Sequence, residues 1–198
     1  MAFNTHKLIL ASTSKARVAL LREAGICFEA LSPAIDETVL QHTYASLPPS
    51  QLALQLARAK ARSVTSEAHY VIGADQTLEL DGRVMHKAKS LADARANLIA
   101  MRGKSHHLHS AVSVIYKGAE VYSNLASATL QMRLLSDAEI SAYMTTEKEA
   151  LLSSVGGYHI EGAGRELFDK ITGEIDTIQG LPLQPLLAFL KQQAIIAR

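Results

Sequence analysis

Hydrophobic positions recur with two different periods along the chain, so strands and helices are expected to alternate over most of its length. Short apolar runs bounded by glycine, proline or serine predict strands, and leucines and alanines at every third or fourth position predict helices. Strands are expected at residues 7–11, 27–31, 70–72, 78–80, 83–85, 111–116 and 119–134, the last as one long strand or two broken ones. Helices are expected at residues 15–25, 50–63, 91–102, 136–144 and 184–196.

The other segments are predicted to be connections or hairpins. They are residues 42–49 and 145–152 as connections, 156–164 as a glycine-rich turn, strand and turn, and 167–171 with 174–179 as a hairpin. Interleaved strands and helices indicate an α/β protein with a mixed sheet. Glycine and hydroxyl residues gather at strand ends, which favours a cleft between two lobes. Without an obvious repeat or linker, residues 1–198 are expected to form a single domain.

The stretch from residue 70 to residue 87 carries the first candidate site. Asp81-Gly82 between two alternating runs is a strong hairpin signal. The return strand brings Lys87 back towards the end of the hairpin at which Asp75 lies. An acid and a base set on strand ends, rather than on a free loop, favour a functional site. A plain surface hairpin with one exposed aspartate and one exposed lysine fits this stretch equally well.

A second candidate site lies where the first strand runs into the first helix. Ser12-Thr13-Ser14 joins them, and Ser12 or Ser14 suits the N-cap. Free backbone N–H groups and the positive end of the helix dipole favour an anion there. Lys15 and Arg17 lie at the unfavourable end of that dipole, which a bound phosphate would offset. Taken alone, the turn favours the alternative, an N-capped helix with two solvated basic residues.

Two other polar positions have an open interpretation. Asp36-Glu37 follows the second predicted strand and is either a polar loop or a source of metal ligands. Mg²⁺ is typically bound through one or two carboxylates together with substrate phosphate oxygens. Lys60 lies off the helix side that bears Arg58 and Arg62, where most lysines are solvated.

Composition narrows the function classes. Hydrophobic residues make up 48% of the chain, as in ordinary globular proteins, and 20 basic against 19 acidic residues leave a net charge of +1. That balance offers no broad positive field for duplex nucleic acid or a membrane surface, so neither partner is expected. The single cysteine, Cys27, excludes an intramolecular disulfide and a cysteine-based zinc cluster. Its apolar neighbours predict a buried thiol.

Three histidines in four residues, His106, His107 and His109, raise the question of a metal site. On a strand the side chains alternate between faces, so at most His107 and His109 share one. Two imidazoles without a nearby cysteine or acid are a weak signal for zinc.

Targeting and membrane segments are not predicted. The first apolar run, at residues 8–11, is too short for a signal-peptide core, and no stretch of about 18 uninterrupted apolar residues occurs. A cytoplasmic location is therefore expected.

A series of short motifs follows the chain from end to end. They are Leu8-Ile9-Leu10-Ala11-Ser12-Thr13-Ser14 with Arg17, Asp36-Glu37-Thr38, Leu56-Ala57 with Lys60-Ala61, Ile72-Gly73-Ala74-Asp75-Gln76, Lys87, and Gly180-Leu181-Pro182-Leu183. In this order they resemble the Maf family. The resemblance implies cleavage of a nucleoside triphosphate to the monophosphate and pyrophosphate, with Mg²⁺ or Mn²⁺ as cofactor. It also implies an elongated mixed-sheet fold with a central cleft, of the Maf and inosine-triphosphatase type. Dimers are common in the family, so a homodimer is one expected assembly.

The resemblance assigns roles to the cationic and hydroxyl residues. Ser12, Ser14 and Arg17 match the family's phosphate-binding turn and helix. Lys60 and Lys87 match the lysines that face the triphosphate.

The resemblance also assigns roles to the acidic residues and to two residues associated with nucleobase preference. Glu37 and Asp75 match the acidic residues expected to hold the metal, and Asp75 is at the position usually called the proton acceptor. Gln76 and Glu161 together look more like the branch associated with 7-methyl-GTP than the branch acting on pyrimidine triphosphates.

The chain departs from the family pattern at four motifs: Arg102-Gly103 stands for the family's Ser-Gly, Ser154-Val155-Gly156 stands for Lys-Ala-Gly, and the other two involve candidate site residues. The family's Ser-Pro-Arg-Arg is Ser14-Lys15-Ala16-Arg17 here, and the usual Lys-Pro is Lys87-Ala88. Lys15 can replace the missing cation only as a point charge, because it lacks the bidentate fork of arginine. The departures leave open a nucleotide-binding or cell-division-linked interaction protein with weak or lost hydrolysis. A house-cleaning pyrophosphatase of the inosine-triphosphate type is a third hypothesis.

Overall fold

A seven-stranded sheet forms the centre of the computed structural model, which describes residues 8–197. The strands are β1 (Leu8–Ala11), β2 (Glu29–Leu31), β3 (Tyr70–Leu80), β4 (Arg83–Met85), β5 (Ser105–Tyr116), β6 (Ala119–Met132) and β7 (Phe168–Thr172). The helices are α1 (Lys15–Glu23), α2 (Glu37–Thr43), α3 (Pro49–Arg62), α4 (Leu91–Met101), α5 (Asp137–Thr146), α6 (Lys148–Ser153), α7 (Ile175–Ile178) and α8 (Leu183–Gln192). A short 3₁₀ helix, Ala163–Leu167, precedes β7.

The sheet is mixed, as the sequence predicts. Its strand order is β2-β1-β3-β5-β6-β7, and β4 pairs with the far end of β3. β1 runs parallel to both of its neighbours, whereas the other pairs are antiparallel. The expected α/β architecture is therefore confirmed.

β3 is one continuous strand, although the sequence predicts two short runs separated at Gly73. Its pairing with β5 extends from Val71 to Glu79 without a break, so the polar middle of the strand stays in the ladder. The predicted hairpin after β3 is confirmed. Asp81 and Gly82 have φ angles of 52° and 77°, the left-handed pair that a two-residue type I′ turn requires.

The two largest hydrophobic clusters of residues 8–197 pack against the sheet and correspond to the two expected lobes. The first joins α4, α5 and α6 to the β4 end of β3, with Leu78, Leu98 and Ile140 fully buried. The second joins α1 and α8 to the β1 end, around Leu21 and Ile72. β3 supplies side chains to both clusters, so the junction between them falls in the middle of that strand.

Gly73 lets helix α3 lie directly on β3. A Cβ atom at this position would lie 2.2 Å from the Ala57 carbonyl oxygen and 2.4 Å from the Ala61 amide nitrogen. Both are backbone atoms of the helix, so only glycine permits this approach. The close packing holds Lys60, between those two alanines, next to the centre of the strand.

Several local predictions were wrong. Helix α2 was missed because none of its residues is buried, so no hydrophobic period marks it. Its N-cap is Asp36, whose Oδ1 accepts hydrogen bonds from Thr38 N at 2.9 Å and Val39 N at 3.1 Å. Residues 145–152, predicted as a connection, form the end of α5 and most of α6.

The C-terminal third of the chain also differs from expectation. Residues 156–164 contain turns and the start of the 3₁₀ helix but no strand. Residues 174–179 do not pair with β7, because β7 pairs with β6 and the segment folds into α7. The last helix ends at Gln192, before the predicted 196.

Three smaller differences concern the remaining boundaries. Cys27 is exposed, since Ile26 takes the buried position beside it and β2 begins only at Glu29. β5 begins at Ser105, six residues before the predicted start. The predicted first residue of β1, Lys7, lies outside the described residues.

Of the helices within residues 8–197, none combines the length and apolarity that a bilayer span needs.

Candidate active site

One cleft of about 650 Å³ is lined by all of the candidate site residues. They are Ser12, Ser14, Lys15, Arg17, Glu37, Lys60, Asp75, Gln76, Lys87 and Glu161. They come from the β1–α1 turn, α1, α2, α3, β3 and two further loops, so the fold brings distant parts of the sequence together. A second, more open pocket of about 740 Å³ lies between the β3–β4 hairpin and α4, and it shares only Lys87 with this set.

The turn between β1 and α1 forms one edge of the cleft. Ser14 is the N-cap of α1, and its Oγ accepts a hydrogen bond from Arg17 N at 3.5 Å. The Ser14 amide in turn donates to Ser12 Oγ at 3.2 Å. The two serines therefore fix the first turn of the helix beside the cleft, where its amide groups and dipole favour an anion.

Arg17 and Lys15 occupy very different positions. Arg17 is buried, with Nε donating to the Gly180 carbonyl at 2.8 Å and Nη1 to Ser12 Oγ at 3.4 Å. Burial lowers the pKa of the Arg17 guanidinium, and the nearby acids Asp75 and Glu37 oppose that effect. Lys15 has an almost fully exposed side chain and pairs with Glu149 at 2.9 Å. The alternative of two solvated cations thus holds for Lys15 and is wrong for Arg17.

Lys60 lies between the two candidate carboxylates. Its Nζ is 2.5 Å from Asp75 Oδ1 and 2.9 Å from Glu37 Oε1. The side chains of Lys60 and Asp75 are 7% and 9% exposed, whereas that of Glu37 is 49% exposed. Lys60 is therefore not a solvated lysine, and Asp75 is neither on a strand end nor on the surface. It lies in the middle of β3.

Burial raises the pKa of the Asp75 carboxyl above its ordinary value, although Lys60 and Arg17 both act in the opposite direction. The half-exposed Glu37 adds a smaller repulsion that also raises it. A carboxylate in this position is desolvated on one side and held by cations on the other. Such an environment is typical of a group that accepts a proton during a reaction.

Gln76 has a fixed amide orientation. Its Nε2 lies 2.9 Å from Ser110 Oγ, 3.0 Å from the Thr177 carbonyl oxygen and 2.9 Å from the Ile178 carbonyl oxygen. Backbone carbonyls only accept hydrogen bonds, so the nitrogen must face them. The amide oxygen is consequently the polar atom of Gln76 that remains to interact with a ligand in the cleft.

The opposite side of the cleft, here called the α6 wall, consists of the part of residues 149–161 that lines it. Besides Glu161, the cleft-lining members are Glu149, Ser153, Ser154, Val155, Tyr158, His159 and Ile160. Ser153 Oγ and His159 Nε2 are hydrogen-bonded at 3.0 Å. Of this wall, the sequence motifs predict only Glu161. Ala150-Leu151 is the buried face of α6, but a helix of six residues is too short to show a period.

His106 lies behind the α6 wall, fully buried on β5. Its Nε2 shares a 2.6 Å hydrogen bond with Tyr158 Oη, and its buried Nδ1 has no hydrogen-bond partner among residues 8–197. Burial lowers the pKa of His106 from 6.5 to about 4, with a smaller contribution from His107. His106 is therefore neutral at neutral pH.

We expect His106 to make the fold acid-sensitive. A histidine with a lowered pKa stabilises the fold above its unfolded value of 6.5, and this stability is lost as the pH falls towards 4. The loss at pH 4.5 is about 2 kcal/mol relative to pH 7. Urea unfolding of the unsubstituted protein and His106→Gln at both pH values measures it, because the glutamine variant lacks this part of the pH dependence. His107→Gln is the matched control, and an equal change there would contradict the assignment.

The zinc interpretation of the histidines gains no support. His107 and His109 contact Thr129 Oγ1 and Ser127 Oγ, and His109 also pairs with Glu79. Within residues 8–197, no group of three or more histidine, cysteine, aspartate or glutamate side chains is arranged to hold a metal ion. Glu37 and Asp75, two carboxylates around one ammonium group, fit Mg²⁺ or Mn²⁺ completed by substrate oxygens better than they fit zinc.

Comparison with known proteins gives consistent results over nearly the whole chain. Curated relatives include the nucleoside triphosphate pyrophosphatases of Nitrobacter winogradskyi, 44% identical over 96% of this chain and 95% of that protein, and of Caulobacter vibrioides, 47% identical over 92% and 93%. The 7-methyl-GTP pyrophosphatase of Rhizobium johnstonii is 44% identical over 97% and 98%. Among solved structures, the Staphylococcus aureus Ham1 protein matches with a TM-score of 0.49 and 14% identity over 94% and 99%, which adds nothing to the assignment. The family model of the Maf-like proteins matches residues 7–193, and this chain belongs to that family.

Proposed function

We propose that the protein hydrolyses a nucleoside triphosphate to the nucleoside monophosphate and pyrophosphate. The observation that carries the proposal is the position of Lys60, buried in contact with both Asp75 and Glu37 in a cleft that also contains the N-terminus of α1. That cluster combines the cations that bind phosphate with the carboxylates that orient water. The names of the curated relatives support the same reaction.

The triphosphate is expected to lie against the first turn of α1. Ser14 and the helix amides, Arg17, Lys60 and Lys87 supply hydrogen bonds and positive charge there, and we call this group the phosphate side of the cleft. Charge neutralisation and positioning carry most of the catalysis in phosphoryl transfer. Arg17 is well suited to this task because Gly180 and Ser12 already hold its guanidinium in place.

Asp75 is the proposed general base. A water molecule attacks the α-phosphorus of the triphosphate, and its proton passes to an Asp75 oxygen. The bond between the α-phosphorus and the oxygen that bridges to the β-phosphorus breaks, and pyrophosphate leaves with that oxygen and the bonding electron pair. The raised pKa of Asp75 favours proton acceptance, and Lys60 holds the carboxylate in its orientation.

Glu37 and Asp75 are the residues that would hold Mg²⁺ or Mn²⁺. Glu37 is half exposed and can approach a substrate-bound ion, while Asp75 is fixed at the base of the cleft. A bound divalent ion would neutralise charge on the phosphate oxygens. Removal of divalent ions with a chelator is expected to abolish turnover and to leave the fold unchanged.

The base that the enzyme prefers is proposed to be a modified purine such as 7-methylguanine. Gln76 has its amide oxygen left for the cleft, and Glu161 adds a carboxylate, so both present hydrogen-bond acceptors. Methylation at N7 gives guanine a positive charge, which such a lining favours over a neutral base. The name of the Rhizobium johnstonii relative supports this choice.

The second candidate is a nucleotide-binding or cell-division-linked interaction protein with weak or lost hydrolysis. The observation that favours it is Lys15, which is exposed and pairs with Glu149 instead of adding a further cation to the phosphate side. Pyrophosphate release across a panel of canonical, methylated and inosine nucleotides, with Mg²⁺ and with Mn²⁺, discriminates between the two. Nucleotide binding without pyrophosphate release across the whole panel would overturn the proposed hydrolysis. A preference for inosine triphosphate would indicate a house-cleaning pyrophosphatase.

The exposed pair of Lys15 and Glu149 is expected to contribute little. Water screens an ion pair between two solvated side chains, and such a pair typically contributes little. Lys15→Met and Glu149→Gln should each change kcat/KM less than about fivefold, measured at low ionic strength, where such a pair is strongest. A much larger loss in Lys15→Met alone would show that Lys15 contacts the triphosphate, as the missing family arginine would.

A cytoplasmic location, a homodimer and a single domain are further parts of the proposal. They rest on the sequence and on the family resemblance. Size-exclusion chromatography with light scattering tests the assembly state.

A further inference from the structure

Part of the cleft lies outside the phosphate side, and this part is available to the nucleoside. Once the triphosphate lies against α1, Arg17 and Lys60, the base and the ribose have to occupy the space lined by Gln76 and the α6 wall. The polar side chains there include Ser153, His159 and Glu161. Selectivity between bases therefore depends on how accurately the α6 wall is held.

The part of the α6 wall that carries Tyr158 and Glu161 has no regular secondary structure, so side chains have to fix it. Gly156 packs on the Tyr158 ring, where an added Cβ would lie 2.3 Å from a ring carbon. Phe168 packs edge-on against the same ring, with centroids 4.8 Å apart. The Tyr143 hydroxyl donates to the Gly157 carbonyl at 3.0 Å. Tyr158 is thus, together with the buried Ile160, a side chain that attaches this loop to the core.

The polar end of that attachment is His106. It lies near the start of β5, where it pairs with Leu130 of β6, and its ring contacts those of Tyr158 and Phe168 with centroids 5.7 Å and 5.6 Å apart. Its hydrogen bond to Tyr158 Oη is 2.6 Å long and fully enclosed. No water can replace a buried hydrogen bond of this kind when one partner is removed. The bond therefore restricts the position of the Tyr158 ring.

We propose that His106 is a positioning residue for base selectivity: through its hydrogen bond to Tyr158 it fixes the segment of the α6 wall that faces the nucleobase. His106 itself lines no part of the cleft, whereas Tyr158 lies at its inner surface, three residues before Glu161. Loss of the bond lets the ring and the following residues shift by a fraction of an ångström. The phosphate side is on other elements and keeps its geometry. This inference rests on the proposed function.

Tyr158→Phe is the test, since it removes the hydroxyl and keeps the ring that fills the core. The measured quantity is the ratio of kcat/KM for the preferred nucleotide to that for the same nucleotide with a different base. We expect this ratio to fall about tenfold, with the loss appearing mainly as a higher KM for the preferred nucleotide. A lower fraction of folded protein cancels out of the ratio, so simple destabilisation does not imitate the effect. His106→Gln is expected to lower the ratio in the same direction.

Tyr143→Phe is the matched control. It removes an equally buried tyrosine hydroxyl bond from the same loop but does not involve His106 or the cleft lining. We expect it to lower the urea midpoint about as much as Tyr158→Phe does but to lower the ratio much less, because neither Tyr143 nor Gly157 lines the cleft. Equal losses of selectivity in both variants, or none in Tyr158→Phe, would overturn the inference.

A double substitution locates the effect within the α6 wall. If His106 acts through the segment that carries Glu161, then Tyr158→Phe lowers the ratio in the unsubstituted protein but not in Glu161→Gln, and an undiminished effect there would overturn the proposal.

The outcome also separates this inference from the proposed function. Turnover with no preference among bases would overturn the positioning role and leave the pyrophosphatase in place. Nucleotide binding without turnover would overturn the proposed pyrophosphatase activity. The ratio of the dissociation constants for the same two nucleotides would then test the role of His106.

Discussion

Replacement of Asp75 by asparagine is expected to lower turnover at least about 100-fold. Asparagine has nearly the shape of aspartate, so its amide oxygen still accepts the hydrogen bond from Lys60. It accepts no proton from water, however, and it binds a divalent cation more weakly. The decrease should therefore appear in kcat for every nucleotide of the panel, measured as pyrophosphate released per minute.

Asp36→Asn is the matched control for this substitution. Asp36 is next to Glu37, lies outside the cleft lining and caps α2, a role that asparagine performs as well as aspartate. Circular dichroism should show an unchanged fold in both variants, while only Asp75→Asn loses activity. Turnover within a few-fold of normal in Asp75→Asn would remove Asp75 from the catalytic role.

Replacement of Gly73 by alanine is expected to destabilise the protein by about 3 kcal/mol, at the upper end of the cost of an overpacked core. The new methyl group would meet the Ala57 carbonyl oxygen and the Ala61 amide nitrogen of α3, and a helix backbone cannot move aside as a flexible side chain can. Helix α3 must shift away from β3, and it carries Lys60 with it. We therefore expect the folded fraction of Gly73→Ala to lose activity as well.

Gly25→Ala separates this steric effect from the general effect of adding a methyl group. Gly25 has a φ of 74°, and within residues 8–197 no atom beyond its chain neighbours lies within 4 Å of the place a Cβ would occupy. The cost of this substitution is therefore the left-handed backbone alone, about 1 kcal/mol. Urea unfolding of both variants gives the comparison. A loss in Gly73→Ala no larger than that in Gly25→Ala would contradict the close helix–strand packing.

Much of the fold was predictable because local rules and tertiary structure agree. The Asp81-Gly82 turn, the Ser136–Glu139 capping box and the Ser90 cap of α4 each follow from a few adjacent residues. The predictions failed where a segment has no buried face, as in α2, or is too short for a period, as in α6. The strand predicted within residues 156–164 failed because core contacts to Tyr158 hold that loop instead of strand pairing.

The candidate site was predictable in its members but not in its contacts. Family motifs bring Glu37, Lys60 and Asp75 to attention, yet a sequence does not show that one ammonium group contacts both acids. Helical spacing gave no reason to bury Lys60, since only the approach of α3 to Gly73 does so. Strand alternation separates His106 from His107 and His109, but it does not show that His106 is the fully buried one.

Strand β3 connects features that otherwise look separate. Ile72 and Ala74 belong to one hydrophobic cluster and Leu78 and Leu80 to the other, with Asp75 and Gln76 between them. Neither lobe can lose its packing without loosening a segment that the other lobe also uses. We therefore expect the two halves of the molecule to unfold as a single cooperative unit, with the proposed catalytic carboxylate in the strand that they share.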